Sequence, residues 1–360
     1  MKLTPEKIRY WLGETDEVRL GQLWYSADLV RQRNVGDAVH LRGLIELSNC
    51  CDRKCLYCGL REPNRRLERY RMPHDEVIEC VQEAARLQFG TVVLQSGEDA
   101  EFDLAGVCEL IRRIKAEADL AVTLSMGERN EDELKALRAA GADRYLLRFE
   151  TSNRELFDRI HPPLRKDEPS DRIGQLRRMR ELGFEVGSGV MVGIPGQTKE
   201  DLINDLQLFE ELDLDMIGIG PYIPHPHTPL LALEQQFNAD PAEQIAADEL
   251  TTYKMLAMAR LMCPQANIPA TTALATINKA SGRENGLRRG ANVIMPNLTP
   301  TKYRESYEIY PDKACVGETA TACRSCVEIR IHRIGRTVAK GRGDSPNVMA
   351  RRGEAPAIVE

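Results

Sequence analysis

At 360 residues and 42% apolar content, the chain is long enough to bury one large core of α/β-barrel size. A net charge of −6 argues against a nucleic-acid partner, which needs a basic face, and no stretch approaches the length of a membrane span. The start lacks a charged segment followed by an apolar run, so a cytoplasmic protein is expected. Its ten cysteines then read as metal ligands and core thiols rather than disulfides.

In chain order, residues 1–40 predict a helical cover. Thr4 caps a helix through Trp11, and 17–32 has helical apolar spacing. Residues 41–49 alternate as a strand and run directly into Cys51-Asp52-Arg53-Lys54-Cys55-Leu56-Tyr57-Cys58. That loop therefore sits at the C-terminal end of a strand, where barrel enzymes place their chemistry. Helices are predicted over 73–89, 104–118, 131–140, 199–212 and 242–262. Strands are predicted over 91–94, 121–125, 144–151, 185–194, 216–223, 268–274 and 292–295. Eight strands with helices between them predict a closed (βα)8 TIM-type barrel over 41–300, with an open six-strand partial barrel as the alternative. Residues 301–336 form a C-terminal segment. From about 338 the apolar periodicity stops, so 337–360 is expected to be a mobile tail.

Three cysteines at x3 then x2 spacing supply three thiolates to a cubane cluster, leaving one iron open. A zinc knuckle is the alternative, but it would close with a fourth Cys or His, and the next histidine is His74. Cys50 points away from its neighbour on an extended segment, which suits packing. Ser96-Gly97-Glu98 ends the next strand; the glycine allows close approach, and Glu98 suits an ammonium ligand. Arg148 and Glu150 share a strand face in residues 144–151. They are read as an anion clamp and a ribose acceptor, or else as a structural ion pair. Residues 190–198 read as an apolar strand closed by a glycine turn. His225 and His227, in a proline-rich loop, form either a metal pair or part of a rigid wall. Thr271 and Thr272 close the seventh predicted strand, and Tyr307 and Tyr310 follow the barrel; each pair either lines a substrate cavity or packs. Cys315, Cys323 and Cys326 suggest an accessory Fe–S cluster, or a zinc site completed by His332.

The cysteine loop, with Tyr57 before its last thiol, resembles that of radical SAM enzymes. That resemblance implies a [4Fe-4S] cluster on Cys51, Cys55 and Cys58, with S-adenosylmethionine (SAM) chelated at the open iron and cleaved to a 5′-deoxyadenosyl radical. Ser96, Gly97 and Glu98 stand where the superfamily usually has Gly-Gly-Glu for the methionine amine. By the same likeness, residues 190–198 contact adenine, Glu150 the ribose and Arg172 the SAM carboxylate. With the Pro-His-Pro-His-Thr-Pro-Leu loop and the later cysteines, the chain is similar over 1–336 to the HydE family of [FeFe]-hydrogenase maturases. This implies an iron–carbonyl–cyanide–cysteine type substrate in a cavity lined by Arg148, Thr271, Thr272, Tyr307 and Tyr310. The implied partners are the maturases HydF and HydG, with a ferredoxin or flavodoxin as electron donor. Methylornithine synthase and biotin synthase share the loop, but biotin synthase wants ligands on inner strands, whereas Cys80 and Cys108 fall in predicted helices. A non-catalytic cluster carrier is the alternative from another class, and Glu98 and Glu150 count against it.

Overall fold

In the computed structural model, which describes residues 3–99, 101–164, 168–237 and 240–354, alternating strands and helices build one parallel sheet. Its strands are β1 (Ala38–Ser48), β2 (Thr91–Ser96), β3 (Ala121–Ser125), β4 (Arg144–Leu146), β5 (Glu185–Val192), β6 (Met216–Pro221), β7 (Val293–Ile294) and β8 (Thr337–Val338). The path is β6-β5-β4-β3-β2-β1-β7, with β8 added beside the start of β1. This is an α/β fold with a parallel seven-strand half-barrel. β5 is buried along its whole length, as a parallel strand covered on both faces must be.

Strong local signals set the helices. Asn130 forms a capping box with Glu133, and Thr198 forms one with Asp201. Asp248 caps the helix Glu249–Met262 by accepting from the Thr251 N–H at 2.7 Å, so this helix starts seven residues later than the expected 242. Thr4 caps Pro5–Gly13 as expected; residues 1–2 of the predicted cover lie outside the described residues. Helices Pro5–Gly13 and Glu17–Val35 pack on Lys199–Glu211 and Glu249–Met262, outside the sheet.

Three expectations are corrected. The strand predicted over 268–274 is not one: residues 267–270 make only isolated bridges, from Asn267 to Met216 and from Pro269 to Val293. A helix, Thr272–Ile277, follows at once because the Thr271 hydroxyl caps it. The strand predicted over 144–151 stops at Leu146, and Glu150 sits in the left-handed region at φ 61°. Lastly, the segment expected to be mobile from 337 is folded through residue 354, while 355–360 lie outside the described residues. β8 pairs with β1, and the helix Pro346–Arg351 packs beneath the strand starts. Gly343 and Arg342 carbonyls accept from Arg42 and Arg144, and Ser345 bonds Glu185 and Asp215. Polar side chains at the strand starts, invisible as a target from the tail's own composition, hold it.

Candidate active site

The C-terminal strand ends open onto one cavity of about 360 Å³, within the range of small-molecule sites. β1 delivers the cysteine loop to it. Gly97 makes the close approach possible: a Cβ there would lie 2.1 Å from the Cys50 carbonyl oxygen and 2.7 Å from the Cys51 Cβ. Cys51, Cys55 and Cys58 all line the cavity. Cys50 does not; its thiol turns back toward the Tyr70 carbonyl at 3.7 Å, in keeping with packing.

The three thiols face one another. Burial, then the charges of Cys58 and Cys51, push the Cys55 thiol well up. Cys58 is pushed up to about 12 by burial and by Cys51. Such thiols become thiolate only when a metal takes the proton's place. Among the described residues no group of three or more His, Cys, Asp or Glu is tight enough to hold a single ion. Three thiols lining one cavity can each seat a different iron of a cluster.

Beside the loop lies a charged lattice. Arg53, from within the cysteine loop, donates from Nε to Glu98 Oε1 at 2.6 Å, and its Nη2 is 3.1 Å from Glu128 Oε1. The Glu128 N–H donates to Glu98 Oε2 at 3.0 Å, so both Glu98 oxygens already carry one partner. Arg172, at the start of Arg172–Glu181, donates from Nε to Glu128 Oε1 at 3.0 Å and from Nη1 to the Arg148 carbonyl at 2.7 Å. Burial pushes the Glu128 carboxyl up, but the Arg172 and Arg53 cations and the Ser170 hydroxyl hold it well below the usual carboxylate range. His161 is buried, with Nδ1 2.9 Å from Cys55 Sγ. Burial and the Arg172 charge push its imidazole down to about 3, so it stays neutral.

Adjoining this lattice, Arg148 and Glu150 form an ion pair with hydrogen-bonding capacity to spare. Arg148 Nη2 donates to the Val190 carbonyl at 2.5 Å and lies 3.1 Å from Glu150 Oε2. The two charges meet because the chain turns at Glu150, not through strand alternation. Glu150 Oε2 and Arg148 Nε are buried without a hydrogen-bond partner. The left-handed φ of Glu150 adds about 1–3 kcal/mol of strain for a non-glycine residue. A strained backbone beside polar atoms without hydrogen bonds suits a polar ligand. Tyr57, Ser96, Thr271, Thr272, Tyr307 and Tyr310 also line the cavity, as do Lys313 and Arg283. Thr271 spends its hydroxyl on the Ile219 carbonyl at 3.2 Å and on capping. Lys313 donates to Glu46 at 2.8 Å.

Of the later cysteines, only Cys315 reaches the cavity wall. It contacts Cys323, whose hydrogen bond, with the Arg283 charge, holds the Cys315 thiol down at about 6 against burial. Cys323 is buried and Cys326 exposed on the helix Ala320–Arg333. His225 Nδ1 accepts from the His227 N–H at 3.0 Å, and its ring packs near Gly59 of the cysteine loop. Neither histidine is among the residues that line the cavity. Arg53, Glu128 and His161 are functional neighbours that the sequence does not single out. Arg53 lies within the motif itself, but the other two carry no spacing signal.

Residues 45–209 match the family model described as the Radical SAM superfamily, which gives the class of that domain. The "[FeFe] hydrogenase maturase subunit HydE" of Thermotoga maritima is 44% identical over 347 residues, covering 96% of this chain and 95% of its own. A 3-methylornithine synthase of Methanosarcina acetivorans is 27% identical, covering 81% of this chain and 79% of its own. The crystal structure of methylornithine synthase (PylB) superposes with a TM-score of 0.75 at 25% identity, covering 94% and 95% of the two chains. That of HydG, "a maturase of the [FeFe]-hydrogenase", gives 0.69 at 20% identity over 82% and 65%, a likeness of fold. Within the radical SAM superfamily, the chain belongs to the HydE family of [FeFe]-hydrogenase maturases. Membership implies a [4Fe-4S] cluster and SAM as its cofactors, and the convergent thiols beside unsatisfied polar atoms fit both.

Proposed function

We propose that the chain is a radical SAM enzyme of [FeFe]-hydrogenase maturation, acting on an iron–carbonyl–cyanide–cysteine type substrate held in the cavity. The observation that carries this reading is that Cys51, Cys55 and Cys58 line one cavity together with the Arg148–Glu150 ion pair, whose Arg148 Nε and Glu150 Oε2 lack a hydrogen bond. When bound, the cluster and SAM supply one-electron cleavage of a sulfonium to a 5′-deoxyadenosyl radical. The chain's residues do the rest. The three thiolates hold the cluster and leave one iron free of protein. Glu98, pinned by Arg53 and the Glu128 N–H, keeps a lone pair for an ammonium, while Glu150 accepts from ribose hydroxyls. Arg172 is the candidate for the SAM carboxylate. Arg148, with its spare Nε, suits a carboxylate or cyanide on the substrate, flanked by Thr271, Thr272, Tyr307 and Tyr310. The enclosing wall keeps water from a reactive centre.

Several finer points belong to the same reading. Residues 267–270, bridged to both β6 and β7, serve as the eighth stave of a closed barrel over 41–300. Residues 1–40 act as its cover and 301–336 as a segment closing its mouth. Cys315, Cys323 and Cys326 hold an accessory cluster. HydF and HydG are partners, a ferredoxin or flavodoxin delivers the electron, and the setting is the cytoplasm; among the described residues no helix is long and apolar enough to cross a membrane. A methylornithine synthase activity is the second reading, favoured by the PylB superposition. A hydrogenase maturation assay lacking only this component separates them. Recovery of hydrogenase activity on adding the chain supports the maturase, and methylornithine formation without such recovery supports the other.

A further inference from the structure

The polar neighbours of the loop's thiols differ in kind. Backbone groups of Arg53 and Glu98 lie near Cys51, and that of Leu60 near Cys58. Cys55 meets a side chain, His161, at 2.9 Å. Which ring nitrogen carries the proton follows from the other side of the ring. His161 Nε2 lies 2.8 Å from Arg172 Nη2, and a guanidinium only donates. Glu128 Oε1 is farther, at 3.5 Å. Nε2 is therefore the acceptor, and because an imidazole keeps at least one ring proton, Nδ1 carries it, facing sulfur.

We infer that His161 is a positioning residue that donates an Nδ1–H···S hydrogen bond to the Cys55 thiolate and thereby sets the reduction potential of the catalytic cluster. The inference deepens the proposed function and rests on Cys55 being a cluster ligand. A donor on a cluster sulfur draws off electron density and stabilises the reduced, more negative state, so it raises the potential. Arg172 fixes the tautomer, which ties the hydrogen bond to the arginine proposed for the SAM carboxylate.

The test uses the full chain, reconstituted anaerobically with iron and sulfide, in a redox titration followed by EPR without SAM. At equal iron content, His161→Leu is expected to move the midpoint to more negative potential. His161→Asn, whose amide N–H occupies the place of Nδ1, is expected to return it toward the parent value. A Leu variant with an unshifted midpoint overturns the inference, and so does an Asn variant shifted as far as Leu. Because the Leu variant risks losing its cluster, a second measurement uses the unaltered chain labelled with 15N-histidine. Its reduced cluster is expected to show a weak 15N hyperfine coupling, and no coupling from a fully loaded cluster overturns the inference by itself. A parent chain that binds no cluster at these thiols defeats the underlying ligand assignment instead, and the inference with it.

Discussion

Two buried charge pairs, one at each end of the sheet, are satisfied to different degrees. At the strand starts, Arg144 is fully buried, and its donors go to Glu185 at 2.5 Å, the Thr91 hydroxyl at 2.8 Å, the Arg342 carbonyl at 2.9 Å and the Asp344 carboxylate. At the strand ends, Glu150 and Arg148 lie 3.1 Å apart yet each keeps a buried atom without a hydrogen bond. The saturated Arg144 set holds the strand starts together, whereas the Arg148–Glu150 pair has capacity left for a ligand; the contrast is between these two pairs, since Arg42 beside Arg144 also keeps its Nε unpaired.

This contrast is most exposed at the thiols. Cys55→Ala is expected to abolish 5′-deoxyadenosine formation and cluster loading while leaving the far end folded. Iron analysis and chromatography of the products check it, and retained cleavage contradicts the ligand assignment. Next in size, Arg144→Ala strands Glu185 as a buried, unpaired charge and is expected to cost about 3–5 kcal/mol. Denaturant unfolding of the apo chain measures that. SAM affinity of whatever remains folded should be unchanged, because Arg144 lies outside the cavity.

Glu150→Gln reverses the pattern. Loss of one charge-assisted hydrogen bond, about 1.5 kcal/mol, weakens SAM binding roughly tenfold with little change in stability. Equal losses in both properties would erase the distinction between the two ends. The smallest effect concerns Asp205, which accepts from the Ser152 N–H at 2.6 Å near the site. Burial, opposed by the Ser152 hydrogen bonds and reinforced by the Asp201 and Glu150 charges, pushes its carboxyl up to about 7. The folded chain keeps this proton while the unfolded chain releases it near pH ~4, so Asp205 makes stability fall as pH rises from there to about 7. Asp205→Asn should flatten that part of the stability–pH profile. A parallel profile would mean the carboxyl titrates normally.

Much of this is legible in the chain itself. The cysteine spacing is local, and β1 to β3 with their helices carry strong caps and alternation, so the residue pattern alone puts the loop at a strand end. Glu150 stands out in the sequence for a reason the fold does not use: strand alternation would align it with Arg148, and a left-handed turn does so instead. Residues 268–274 read as a strand because an apolar run next to a β-branched pair looks like one, while Thr271 acts as a helix cap. Glu128 and His161 meet Arg53 and Cys55 only through tertiary packing, with no periodicity to betray them. The tail reads as mobile because polar, glycine-rich composition describes disorder only where no buried charges wait to receive it.

The rest depends on three thiols presenting a cluster with a free iron to SAM. The decisive measurement is the EPR spectrum of the reduced, reconstituted chain recorded with and without SAM. A changed spectrum is expected on adding SAM. The same spectrum in both samples, from a fully loaded cluster, would mean that SAM never reaches the open iron.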